Sequence, residues 1–591
     1  MSEGVSKNAI LFDNLLNRLL KDESTGQYSL PGVITDDERL ALVSAFNKIK
    51  ESELPEGAAG VLRDHTAVAE NSRSEASESA IPDRCDEEPA SLVDFENTES
   101  VRPSEQIVSA EGIEALLNTS TLNPTSFLPD IYLGLDFGTA YSKACMIKVE
   151  NEAEVILDLP LGIYAGEDAL EMPVHSSLFI DPDGRLYFGP IAVEKSLETR
   201  RAGVRVSRID SIKSFLIEEK RVTIDDSPLQ KAYNPTSTEV SKAMLLTFYL
   251  GYLLYLVREA AQDKHSIDIS QIKQRISLPC YSPSHRSKVI NEISKLFTLG
   301  EVLSQSFRDE WENGFRIEDV KYLYDWMRQN IKKNSPYIER FLEEPLAVAG
   351  SRISLNGSSR GNVCMVVDVG AGTTDFTMFE IYADAKSGHT SAKEVKGSEY
   401  GVPIAGDRLD KILLAFILRD AGIARGSENY PEVLVSLRLD IRDYKERLFL
   451  ENQLTYSLPG GATGSVVLSD FLADNGVREF TKELREAFIK VLSSIHQSWV
   501  KTKIRQKNAQ SKLAVILSGG GADLPMVKGL AKGSVDVNGY TVDLFLSPTV
   551  PNWIEDEYKG EIIDLYPQMA VSLGSAKSFV IEKTGVQDEF L

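Results

Sequence analysis

The chain has 591 residues, 42% of them apolar and 8% aromatic, which supplies several hydrophobic cores and excludes a small scaffold held only by disulfides or metal. A net charge of −24 excludes the broad basic footprint that nucleic-acid phosphates require. The N-terminus lacks a basic start and a small-residue cleavage site, and no apolar run approaches the roughly 18 to 20 residues that span a bilayer, so the expectation is a soluble, cytoplasmic protein.

Residues 8–20 carry Ile10, Leu11, Leu15, Leu16 and Leu19 at helical spacing, and 36–50 repeat the pattern with Leu40, Val43, Phe46 and Ile49. Thr35 with Glu38 supplies a capping box for the second run, so residues 1–50 are expected to form a helical N-terminal module. From 51 to 128 a mostly disordered acidic linker is expected, because Glu, Ser, Ala, Asp and Pro leave few large apolar side chains to offset chain ordering. Between 51 and 130, 18 acidic residues against 4 basic ones carry −14 of the −24, so the remainder is only mildly acidic.

From 129 onward apolar strand patterns alternate with helical ones at 239–262, 285–297, 319–333, 407–420, 475–500 and 525–532, which is an α/β signature. Cys85, Cys145, Cys280 and Cys364 show no metal-ligand spacing and read as reduced thiols, three of them in apolar runs. The segment 301–341 is rich in rings, among them Phe307, Trp311, Phe315, Tyr322 and Trp326. Two readings apply to it, a partner surface or the core of an enlarged subdomain.

One pattern occurs twice. "LGLDFGTAYSKACMI" from 133 and "VVDVGAGTTDFTMFEI" from 366 both read apolar strand, Asp, apolar, Gly, a Thr-bearing turn and a second apolar strand. Such a turn points backbone N–H groups at an anion, and Gly138 and Gly370 are expected to leave it room. The carboxylates of Asp136 and Asp368 would be repelled by phosphate, so their expected task is to hold a divalent cation through water.

"GLDFGTAYS" and "VVDVGAGTTDFT" resemble the two phosphate loops of the actin-like ATPase superfamily, and most closely those of the DnaK-type, seventy-kilodalton heat-shock chaperones. "IDSIKSFL", "RISLPCYSPSHRSKVINEISKLFTLG", "EEPLAVAG", "PIAGDRLDKILL", "VILSGGGADLPMV" and "YPQMAVSLGSA" resemble further segments of that family in its order, over roughly 130 to 580. The resemblance implies a two-lobed actin-like ATPase fold of duplicated ribonuclease-H-like domains, with lobe I about 129–365, lobe II about 366–560, a return to lobe I about 561–585, and the helical module as an N-terminal extension. It implies ATP or ADP with Mg²⁺ in the cleft between lobes. Thr139, Ala140 and Tyr141 would meet the β-phosphate, and Gly370, Ala371, Gly372, Thr373 and Thr374 the γ-phosphate. Lys213 would balance phosphate charge and position water, Glu344 or Asp375 would orient that water, and Asp136 and Asp368 would hold the metal. Gly406, Lys445, Gly519 and Gly520 would line the nucleoside.

The sequence departs from the family at Ala140, at Ala371, and at Asp523, which stands where the chaperones carry an arginine stacked on adenine. The chain also ends within about twenty residues of the last motif, leaving no room for a peptide-binding β-sandwich. The expected function is a slow, partner-stimulated, chaperone-like ATPase that switches a protein partner through the N-terminal helices or the segment 301–341, with no nucleic acid and no membrane involved. A small-molecule kinase and a filament-forming protein of the same superfamily are the alternatives.

Overall fold

The computed structural model describes residues 112–579, except 125, 152, 163–172, 205, 218–226, 282, 353–361, 384–389, 500–511 and 559–560, together with 20–21 and 28–29. The chain divides into two units, Met1–Ser104 and Glu105–Leu591. In the first, Leu20–Lys21 pairs antiparallel with Tyr28–Ser29. The expected helices, apart from Leu20, and the linker up to 111 lie outside the described residues.

The second unit is a mixed α/β structure organised on two large sheets. In the first, β1 (Ile131–Asp136) and β2 (Tyr141–Glu150) form the hairpin that carries Asp136. β3 (Ala153–Asp158) extends the sheet antiparallel beside β2. On the other side of β1, β4 (Lys273–Leu278) and then β5 (Ile338–Glu343) run parallel. The second sheet repeats this order. β6 (Asn362–Val369) and β7 (Thr374–Ala383) form the hairpin, β8 (Thr390–Glu394) lies beside β7, and β9 (Lys512–Ser518) runs parallel to β6. β10 (Ser534–Val537) and β11 (Tyr540–Leu546) complete it, with β11 parallel to β9. A parallel pair has to be joined by a crossover, which is why helical segments separate β1–β2 from β4 and β6–β7 from β9.

Helices follow in chain order: α1 (Gly189–Arg201), α2 (Lys242–His265), α3 (Pro283–Ser306), α4 (Ile317–Asn330), α5 (Glu344–Ser351), α6 (Gly406–Asp420), α7 (Tyr430–Glu451), α8 (Asn475–Ser494) and α9 (Glu561–Ala576). Against the sequence expectation, α2 is by length and composition apolar enough to cross a membrane, yet it is the central core helix of the first sheet's side, buried along most of its length. A helix apolar on every face belongs in such a core.

Helices α5 and α9 fill the space between the two sheets, with Leu346, Ala347, Met569 and Ala570 packed against Cys145 of β2 and Cys364 of β6. Their crossing is close because Gly574 has no side chain: a Cβ there would sit 1.7 Å from the Ala347 carbonyl oxygen. Gly134 does the same for α9 against β1, where a Cβ would meet the Ser572 carbonyl oxygen at 2.1 Å. Residues 561–576 thus return to the first sheet.

One expectation changes at its boundary: within the expected linker 51–128, residues 113–116 and 119–122 form 3₁₀ turns that pack within the second unit. Asn118 N–H donates to Ser306 Oγ at 2.8 Å, and Leu117 and Leu122 are buried among the apolar side chains of the first core. Of the two readings for the rings of 301–341, the enlarged core describes Phe307, Trp311 and Phe315, which are buried with Trp311 4.8 Å from Phe315, while Tyr322 and Trp326 are half-buried.

Candidate functional site

The register of the two hairpins places their acidic residues symmetrically. Asp136 ends β1, opposite Lys143 on β2 and beside Ser277 on β4. Asp368, one residue before the end of β6, lies opposite Asp375 on β7 and beside Ser518 on β9. Ser277 Oγ donates to Asp136 Oδ1 at 3.2 Å, and Lys143 Nζ lies 3.4 Å from Asp136 Oδ2. The paired serines went unnoticed in the sequence, because only the parallel pairing of strands more than a hundred residues apart reveals them.

The turns are tight for internal reasons as well. A Cβ on Gly138 would fall 1.9 Å from the Tyr141 carbonyl oxygen, so the hairpin itself requires this glycine, apart from any room it leaves for a ligand. Ser176 braces the turn, its N–H donating to the Ala140 carbonyl at 2.8 Å and its hydroxyl to the Gly138 carbonyl at 2.9 Å. In the second turn Gly370 N–H donates to the Thr373 carbonyl at 2.9 Å, which leaves Ala371, Gly372 and Thr373 as the turn's amides for an anion. The buried hydroxyl of Thr374 donates to the Ile404 carbonyl at 2.7 Å and anchors the approach to α6.

Gly406, the first residue of α6, is held against this turn by its N–H to the Gly370 carbonyl at 3.2 Å, and the next amide donates to the Ala371 carbonyl at 2.7 Å. Lys445 on α7 reaches the same place, 3.3 Å from the Gly406 carbonyl and 2.7 Å from Asp410 Oδ1. Gly519 follows β9 at φ +80, where a Cβ would meet the Val369 carbonyl oxygen at 2.4 Å and Asp368 Oδ1 at 3.0 Å. Nothing lies within 4 Å of a Cβ on Gly520. Asp523 is exposed and pairs with Lys528 at 2.7 Å.

The acidic groups of the two hairpins act electrostatically on one buried pair, Lys213 and Glu344, and so form one cluster. The Lys213 ammonium, just before the short helix Ser214–Ile217, donates to Glu344 Oε1 at the start of α5, and both side chains are buried. Burial opposes the charge on Lys213, but Glu344, Asp136 and Asp368 outweigh it and raise its pKa. Glu344 is raised by burial, with Lys213 opposing and Asp136 adding to the shift. Burial, then Glu344 and Asp136, pushes Asp368 up to about 7. Burial and Glu344 push Asp375 up to about 8, although the Thr373 hydroxyl donates to its Oδ2 at 2.9 Å. Tyr281, absent from the sequence expectations, is raised by burial and by the charges of Glu344 and Asp375, which places it at the cluster's edge.

Asp368 Oδ1 is buried and has no hydrogen-bond partner among the described residues. A bare buried carboxylate oxygen is costly, and two aspartates offering only oxygen suit a hard, hydrated cation such as Mg²⁺. The residues therefore fit the metal. No protein-family model matches the sequence, and no curated protein aligns with it significantly.

Above the cluster the two sheets' sides are tied by arginines. Arg442 on α7 donates to the Asp210 carbonyl at 3.2 Å and to Asp407 Oδ1 at 3.3 Å, and Arg200 on α1 pairs with Asp440 on α7 at 3.1 Å. Burial opposes ionisation of Asp210, yet Arg208 and Arg442 hold it below the usual carboxylate range. The structure also brings Cys280, Glu343 and Glu399 together, with one ligand atom of each within 4.8 Å of the others, and Arg286 pairs with Glu343 at 3.2 Å.

Proposed function

We infer that the chain is a chaperone-like ATPase of two actin-like lobes, which binds MgATP between them, hydrolyses it slowly, and passes the nucleotide state to a protein partner as a change in lobe position. The observation that carries this reading is the repeated strand order, each copy ending its first strand in an aspartate, with both aspartates acting on one buried cluster that contains Lys213, Glu344 and Asp375. The ordered motifs of the sequence supply the nucleotide and the family.

In this reading the amides of Thr139, Ala140 and Tyr141 bind one phosphate, and those of Ala371, Gly372 and Thr373 bind the next. Asp136 and Asp368 hold the magnesium through water, and the metal when bound neutralises polyphosphate charge. Lys213, kept charged by three carboxylates, steadies the terminal phosphate. Asp375, pushed up to about 8 and so largely protonated at neutral pH, serves as the base for the attacking water in its deprotonated form, which grows as pH rises, and Glu344 fixes Lys213. The partner contact falls to the N-terminal module, because the rings of 301–341 are engaged in the core.

Calorimetry of the purified full chain with ATP and Mg²⁺ tests the reading. Binding is expected, with Asp136→Asn and Asp368→Asn each weaker by about tenfold or more, as loss of a charged ligand to a cation implies. Absence of heat with any nucleotide overturns it. Turnover that rises only with a sugar-like acceptor moves the chain to the kinases, and pelleting with MgATP moves it to the filaments.

A further inference from the structure

A cup of about 280 Å³ lies between α3 and α4, away from the residues of the proposed nucleotide site. Its lining includes the buried Leu296 and Tyr324, with the Arg328 guanidinium 5.5 Å from the centre of the Tyr324 ring, and the half-buried Ile331, and its rim carries Lys295, Arg328, Lys332 and Lys333. Four cations stand against one carboxylate, Glu292, in a chain whose net charge is −24. Part of this charge has a structural use. Lys332 Nζ donates to the Arg328 carbonyl at 3.0 Å, at the C-terminal end of α4, where cations complement the helix dipole. Capping alone leaves Lys295 and Lys333 unexplained.

The rim is also held in place. Lys295 pairs with Glu292 at 2.8 Å, and Lys333 Nζ donates to Asn123 Oδ1 of the docked 112–123 segment at 2.8 Å. Each ammonium has three donors, so one such bond orients a lysine without exhausting it. The volume lies just below the range of small-molecule sites, roughly 300 to 1,000 Å³, which suits a compact ligand.

We propose that this cup binds a small organic anion, with its apolar body against the half-buried Ile331 and the aliphatic stems of the rim side chains and a phosphomonoester or carboxylate at the rim of Lys295, Arg328, Lys332 and Lys333. The site is independent of the nucleotide reading and stands or falls separately. A cleft lined by one sign of charge concentrates the opposite sign, so the rim lysines should meet such a ligand well ahead of other exposed lysines.

Pyridoxal 5′-phosphate, an aromatic phosphomonoester, is the probe. Its aldehyde condenses with a lysine amine to an imine with loss of water, borohydride reduces the imine to a secondary amine, and peptide mapping by mass spectrometry locates the product. With limiting reagent and the full chain, Lys295, Lys332 or Lys333 should be labelled about tenfold more than Lys482, whose side chain is 74% exposed. Arg328→Glu, which keeps all three lysines, should bring their labelling down towards the Lys482 level with only a small fall in melting temperature from the lost cation at the end of α4, and Arg328→Gln should lower the labelling part of the way. Labelling in proportion to exposure, or labelling indifferent to Arg328→Glu, overturns the proposal. Phenyl phosphate should compete at lower concentration than hexaglutamate; the opposite order would assign the cup to an acidic peptide and overturn the small-molecule reading.

Discussion

Lys213 and Glu344 are more than a reactive pair, because both are buried and each is the other's nearest compensation. Removing one partner of such a pair strands the other charge, so Lys213→Ala should lower stability by about 3 to 5 kcal/mol, measured by urea unfolding. Lys213→Ala with Glu344→Gln should recover much of that loss. If the single variant is as stable as the parent, the pair is not buried as described. Asp375 gives a pH dependence of definite sign. Its pKa rises from 3.8 to about 8 on folding, so the native state keeps a proton that the unfolded chain has already released. That stabilisation is complete below pH 3.8 and is lost as pH rises through about 8. The melting temperature of the nucleotide-free protein should therefore fall across this interval, and Asp375→Asn should flatten the fall. The aspartates were legible as residues because they interrupt apolar strands at a Gly-Thr turn; their elevated pKa values were not, since burial and Glu344 arrive from other elements.

Among the elements, long periodic segments were the easiest to read. α6 spans Gly406–Asp420 against an expected 407–420, and α3 begins at 283 against an expected 285 but continues to 306. The extra turns of α3 lacked a clean apolar stripe in isolation, and packing against α2 sustains them. Close contacts between elements were invisible, because a glycine's reason lies on the opposing chain. Gly574→Ala should cost about 3 kcal/mol by forcing α5 and α9 apart, measured by thermal or chemical unfolding. Trp311→Ala should cost about 3 to 5 kcal/mol through the cavity it leaves among Phe188, Tyr255 and Phe315, without weakening nucleotide binding. A loss of partner binding at unchanged stability would instead return that ring to a surface role.

For the whole molecule, the division into Met1–Ser104 and Glu105–Leu591 predicts that deleting residues 1–104 leaves the remainder folded, with the unfolding temperature and nucleotide affinity of the full chain. Scanning calorimetry with and without MgATP checks both, and insoluble protein would place the first unit in the core. The amino-acid sequence by itself determined the α/β class, the duplicated strand-Asp-Gly-Thr hairpins and the charge imbalance of the linker, because each is a local property of composition or period. Only the tertiary structure decided that residues 113–122 pack on the first core, that Phe307, Trp311 and Phe315 are buried, that Gly138 is needed by its own turn, and that the acidic groups of hairpins more than two hundred residues apart influence one another. Those facts depend on which surfaces meet, and a buried charge takes its pKa from neighbours that the linear order does not name.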